Sequence, residues 1–137
     1  MAALAAARKV AVRDGKYLSA PVKAGVILYG GALVVLTAGV ARPGRTATGD
    51  IAFGVTEHTV VGGASDGDVR VTVSTGIRNF ANSASADLIA LSEVGKDCYI
   101  VDDQTVAKTD GTGTRSRAGK VVDVDADGVW VNISPAA

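Results

Sequence analysis

Lys120 to Ile133 reads KVVDVDADGVWVNI, and the fold turns on how this stretch is read. Asp123, Asp125 and Asp127, followed by Gly128, reproduce the opening of a calcium-binding EF-hand loop. Such a loop needs a bidentate glutamate at its twelfth position and a helix on either side. Here the twelfth position is Ser134, Pro135 follows at once, and the flanks are β-branched and aromatic, which suits strands. A β-hairpin with Asp127-Gly128 as a two-residue type I′ turn accounts for the same residues. It sets Ala126 opposite Val129, Val124 opposite Val131 and Val122 opposite Ile133 on one apolar face. The other face then pairs Asp125 with Trp130 and Asp123 with Asn132. A one-residue slip would exchange the two faces. The stretch predicts a strand pair, with its aspartates at the turn and in solvent.

The rest of the chain reads in the same way. Lys16–Val22 is extended, and Pro21 bars it from a central strand. Val26–Tyr29 and Ala32–Thr37 form an apolar hairpin about Gly30-Gly31. Arg42–Asp50 is a loop, Ile51–Val55 and His58–Val61 are strands, and Gly62–Asp68 is a further loop. Val69–Ser74 alternates strictly, the pattern of a half-buried strand, and Gly76–Phe80 continues it or pairs with it. Ser83 or Ser85 caps a short helix over Asp87–Leu91, and Ser92–Gly95 makes one more helical turn. Cys98–Val101 and Thr105–Lys108 are strands, and Thr109–Gly119 is a flexible polar loop. Short strands at regular spacing predict a mainly β fold, a compact antiparallel β-barrel or sandwich with one short helix. Residues 1–22, which open on an Ala-rich, charged stretch, are expected to form an extended N-terminal arm on a single β domain at 23–137. Met1 to about Lys16 show no alternation and are expected to be disordered or extended in the free protein.

Composition narrows the function. A chain of 137 residues buries about two-thirds of its unfolded surface in one domain. Fourteen basic and fourteen acidic side chains cancel, so the whole chain has no long-range pull on nucleic acid or anionic membrane. A single cysteine, Cys98, excludes an intramolecular disulfide and suits synthesis in a reducing cytoplasm. Gly25–Ala41 is apolar for seventeen residues, but its central Gly30-Gly31 and strand-forming residues favour two buried strands over a membrane span. MAALAAARKV places its basic pair after the apolar residues, the reverse of a secretory signal.

Residues able to do chemistry are few. His58 is the only histidine, and its neighbour Glu57 would point to the opposite face of a strand. Cys98 lies in an apolar strand, where a buried inert thiol is the usual outcome. Asp102-Asp103 beside Asp97 reads as a turn, and no phosphate-binding loop is present. These residues predict no catalytic set, no metal and no cofactor.

Gly76 to Ile133 resembles the C-terminal part of the capsid decoration, or cement, proteins of tailed phages and prophages. The residues that carry the likeness are FANS at Phe80–Ser83, the VG-x-x-CYIVDDQTVAKT run at Val94–Thr109 and RAGKVVDVDADGVWV at Arg117–Val131. KAGVILYGGALVVL at Lys23–Leu36 and DVRVTVSTG at Asp68–Gly76 extend it, so that it covers about Lys16 to Ile133. The resemblance implies a non-enzymatic β protein on the outer capsid surface, often trimeric, that bridges subunits of the major capsid protein. It implies synthesis in the host cytoplasm and a place in the virion, with no nucleic-acid or membrane partner. The extended start of the chain matches the arm that such proteins lay across the shell. Lys16, Tyr17, Leu18 and Pro21 are accordingly the candidate contacts to capsid or neighbouring subunit. Two other readings remain open, a tail or host-adhesion β module and a small metal-binding β-barrel.

Overall fold

Two strands near the middle of the molecule are buried on both faces, and the rest of the fold is arranged to cover them. A computed structural model describes residues 2–136. Its twelve strands run in chain order as β1 Tyr17–Pro21, β2 Ile27–Leu28, β3 Leu33–Thr37, β4 Val40–Pro43, β5 Ile51–Thr56 and β6 Val60–Val61, then β7 Arg70–Ser74, β8 Gly76–Phe80, β9 Asp97–Ile100, β10 Val106–Ala107, β11 Arg117–Asp125 and β12 Gly128–Ile133. They form antiparallel sheets of order β1-β7-β5-β3-β4 and β10-β9-β11-β12-β8, with a two-stranded ribbon of β2 and β6. The molecule is therefore mainly β.

β3 and β5 are the doubly buried strands. Leu33 and Val35 pack with Ala52 and Val55 against Ile100, Val121, Val129 and Val131 of the second sheet. Val34 and Phe53 face the other way, into a cluster with Ala20, Val22, Leu28, Ala41, Val71 and Val73. A bulge makes this possible. The register steps from Val34↔Gly54 to Val35↔Ala52, so Phe53 is an extra residue that turns toward the second cluster. Each fully buried valine or leucine contributes on the order of 1.5–3 kcal/mol. Both large sheets curl until their edges touch at one point. Val22 bridges Ala41, and Lys23 N donates to Ala41 O at 2.9 Å. In the second sheet Ala81 bridges Thr105, and Ala81 N donates to Gln104 O at 2.8 Å. A single bridge is not a ladder, so neither sheet is a closed barrel.

The closing hairpin forms, but in a different register from the one expected. Asp125 lies opposite Gly128, Val124 opposite Val129 and Asp123 opposite Trp130, so the two loop residues are Ala126 and Asp127. Asp125 Oδ1 accepts from Asp127 N at 2.9 Å and fixes the turn, while its Oδ2 accepts from Trp130 Nε1 at 2.9 Å. A bulge then leaves Val122 outside, so that Val121 on one side of it and Val124 on the other both face inward. Sorting by apolar face found the strands; a turn placed one residue earlier than expected moved the register, and the bulge shifted it again. Gly128 has φ of +128°, and a Cβ there would collide with the carbonyl of Phe80 in β8.

Other expectations need correction. Val26–Tyr29 does not pair with Ala32–Thr37: β2 pairs with β6, and β3 lies between β4 and β5. β4 falls partly in the expected Arg42–Asp50 loop, joined to β3 by Ala38-Gly39 with φ of +50° and +83°. An alanine in that left-handed position gives no turn signal in the sequence. Gly76–Phe80 joins β12 and not β7. The expected helix is two 3-10 turns, Ser85–Asp87 and Leu91–Glu93, each too short to satisfy its own backbone. In place of a loose loop at Thr109–Gly119, Thr114 N and Arg115 N donate to Asp110 O, and Arg115 pairs with Asp87 at 3.2 Å. The arm boundary expected after Val22 lies inside the first sheet, because Tyr17–Pro21 pairs along its length with β7 and Val22 is fully buried.

Gly128→Val should destabilise the protein by roughly 1–3 kcal/mol, from left-handed strain and from the contact with Phe80 O. Urea denaturation measures it, and wild-type stability in the variant would show that β8 and β12 do not approach as described.

Candidate functional site

The residues singled out for chemistry are dispersed. Glu57 and His58 are exposed, and Thr56 Oγ1 donates to the His58 carbonyl at 2.7 Å. Cys98 is fully buried, its thiol donates to Gly119 O, and burial pushes its pKa up to about 12. Asp97 is not paired with Asp102 or Asp103. Hydrogen bonding from Arg117 first, and then the charges of Arg117 and Lys120, hold its carboxyl below the usual range. Among the described residues no three His, Cys, Asp or Glu side chains come together to hold a metal ion. No helix there is long and apolar enough to cross a membrane. Tyr29, Gly30, Gly31, Ala32, Asp103 and Gln104 line an open cleft of about 240 Å³.

Asp50 has the most elaborate surroundings, and they are structural. Its carboxylate is 1% exposed, bonded by Arg45 Nε at 2.8 Å and Thr37 Oγ1 at 2.7 Å. Asp50 N donates to Ser116 Oγ at 3.0 Å, and Ser116 Oγ donates to Ala47 O at 2.6 Å. Thr46 Oγ1 reaches Val101 O at 2.7 Å. The Gly44–Asp50 segment is thus a clasp between the first sheet and the second, at the residues just after β9 and just before β11. Burial opposes ionisation of Asp50, but hydrogen bonds from Arg45 and Thr37 and the charges of Arg45 and Arg42 outweigh it and lower its pKa.

An exposed segment and an uncovered strand edge lie together at the start of the chain. Ala2–Asp14 are exposed along their whole length and form no helix or strand, with Leu4 72%, Val10 61% and Val12 92% exposed. The segment leaves the body at a fixed point: Thr75 N donates to Lys16 O at 2.8 Å, and Thr75 Oγ1 donates to Gly15 O at 2.6 Å. Gly15, with φ of +81°, turns the chain there. β1 follows as the edge of its sheet. Because Lys16 O and Val22 N bond to Thr75 and Val69 at the two ends of β7, the even-numbered residues pair inward and the backbone groups of Tyr17, Ser19 and Pro21 turn outward. β4 covers this edge only at Val22. Tyr17 and Ser19 face no other strand among the described residues.

The four candidate contacts divide accordingly. Tyr17 is 53% exposed with Lys16 Nζ 5.4 Å from its ring centre, and Pro21 is half-buried on the same outward side. Leu18 points inward and packs on Ala20, Val22 and their neighbours, as strand alternation requires, so its side chain belongs to the core. Ser19 is the residue that sequence reasoning passed over. It is exposed between Tyr17 and Pro21, with Arg70 Nε donating to its hydroxyl at 3.2 Å. Charge is also uneven. Arg8, Lys9, Arg13 and Lys16 against Asp14 give residues 1–16 a net +3, leaving ten basic against thirteen acidic side chains, or −3, on the rest. The zero total conceals a basic segment attached to an acidic body. No protein-family model, curated protein or solved structure matches this chain.

Asp50 generates a pH prediction. Its folded pKa lies below the usual carboxylate value near 3.9, so its contribution is complete above that value and is lost as pH falls through the folded pKa. Asp50→Asn should cost on the order of 2 kcal/mol at pH 7, and the gap to wild type should narrow by pH 3. A gap that stays constant between those pH values would remove the ionised clasp.

Proposed function

We propose that this protein is a capsid decoration protein: it binds the outer surface of an assembled tailed-phage shell and stabilises it by bridging major capsid protein subunits, as a trimer. It is made in the host cytoplasm and carries no catalytic site, metal or cofactor in this role. The two curled sheets are read here as a sandwich, and Ala2–Asp14 as the arm that reaches along the shell. The observation that carries this reading is the exposed segment anchored at Gly15 and Lys16 beside an open strand edge. Fully extended, its thirteen residues span about 40 Å, enough to cross from one subunit to the next. Such a segment loses entropy when it is ordered, so it makes sense only where a partner repays that cost by covering Leu4, Val10 and Val12. Repetition around a threefold point multiplies a modest contact into high avidity. The resemblance over Lys16–Ile133 points to the same role.

Purified expanded shells should retain the full chain on sedimentation and resist heat better with it bound. A chain lacking residues 1–15 should fold normally but bind shells at least tenfold more weakly. No binding by the full chain, or recovery only with tails, would replace the capsid reading with the tail-module alternative.

A further inference from the structure

The arm and the open edge are complementary to each other. Lys9-Val10-Ala11-Val12-Arg13 alternates, with the two valines on one side and Lys9, Ala11 and Arg13 on the other. On β1, Leu18 and Ala20 point into the core while Tyr17 and Ser19 point out. An antiparallel strand with Val10 beside Leu18 would lay both valines along the apolar side. It would leave Lys9 and Arg13 in solvent and give the outward backbone groups of Tyr17 and Ser19 their missing partners. Its basic start at Arg8 and Lys9 would lie toward the Val22 end of β1. The Ser65–Asp68 turn packs there, with Gly67 N donating to Val22 O at 3.0 Å. Asp66 and Asp68 on that turn take part in no ion pair among the described residues; they accept only from Ala24 N and Ser65 N.

In the structure the segment does not lie on its own β1, and Val10 and Val12 remain exposed. One chain therefore presents both an exposed segment with a strand-like alternation and an unpaired edge that fits it, the arrangement from which identical elements exchange between copies. The +3 segment and the −3 body favour the same encounter. We propose that the Lys9–Arg13 segment of one copy adds as an antiparallel strand to the β1 edge of a second copy, with Val10 beside Leu18. This goes beyond the capsid reading and does not rest on it, since it concerns two copies of the chain in free solution.

Cysteine pairing tests it, with Cys98 buried and its thiol unreactive. A Ser19→Cys chain is mixed under mild oxidation with chains carrying Lys9→Cys, Val10→Cys, Ala11→Cys or Val12→Cys. A disulfide needs Cα atoms roughly 4.4–6.8 Å apart and side chains on one face. The expected yield is highest at Lys9, lower at Ala11 and at background for the two valine positions. Adding Val10→Asp and Val12→Asp, both at exposed positions, to the Lys9→Cys chain should return its yield to background. Equal yields at all four positions would mean random collision and overturn the proposal. So would a bond that forms only within one chain carrying both Lys9→Cys and Ser19→Cys, because the segment would then fold back on its own edge. Ser19→Cys chains linking to each other in preference would overturn it as well, by showing that two edges meet directly.

Discussion

The constraint on which the structure depends is that β3 and β5 must be covered on both faces. Leu33, Val34 and Val35 are each fully buried, and consecutive side chains of a strand point to opposite sides. One sheet therefore serves two hydrophobic clusters. The second sheet covers one face. The other is covered by the curl of the first sheet on itself, with Leu28 and Val60 of the ribbon, and Val26 just before it, closing over it. The bulge at Phe53 and the clasp through Asp50 and Ser116 both follow from holding these layers in register. Curling also brings the edges of each sheet together at one bridge.

What remains open is informative because the other edges are protected. β4 ends at Pro43, which has no N–H to offer, and β10 is two residues long. β8 carries Arg78, whose Nη1 folds back on the carbonyl of Ile77 at 2.9 Å. These are the usual devices that keep strand edges from pairing with other chains. β1 has five residues with no charge among them, and its outward groups at Tyr17 and Ser19 are left uncovered. An exposed basic segment is tethered two residues away, through Gly15 and Lys16. That coincidence of an open edge with a tethered, exposed segment is what the proposed role in assembly rests on.

Much of the strand content was legible in the sequence, and the reason is local. Val69–Ser74 and Val129–Ile133 alternate with period two, so one face declares itself. Pairing was less legible, because partners depend on distant contacts. β8 found β12 across some fifty residues, and β2 found β6 in place of its neighbour β3. The closing hairpin shows the intermediate case. Its strands were evident, but an Asx turn at Asp125 and a bulge at Val122 shifted the register, and neither has a signature that separates it from the Asp-Gly turn. At the candidate site, Pro21 announced an edge strand. Its free side did not show in the sequence, because that depends on where β4 begins. The charge of the first sixteen residues was fully readable, but counting over the whole chain cancelled it.

The most direct measurement is amide hydrogen exchange on residues 2–19, compared between dilute free protein and protein bound to shells. If arm and edge are the binding elements, Ala2–Asp14, Tyr17 and Ser19 should exchange freely in dilute solution and become protected by at least tenfold on the shell. β3 and β5 should be equally protected in both states. Protection that appears elsewhere on the body, with residues 2–19 still exchanging freely on the shell, would contradict the assignment of arm and edge as the binding elements.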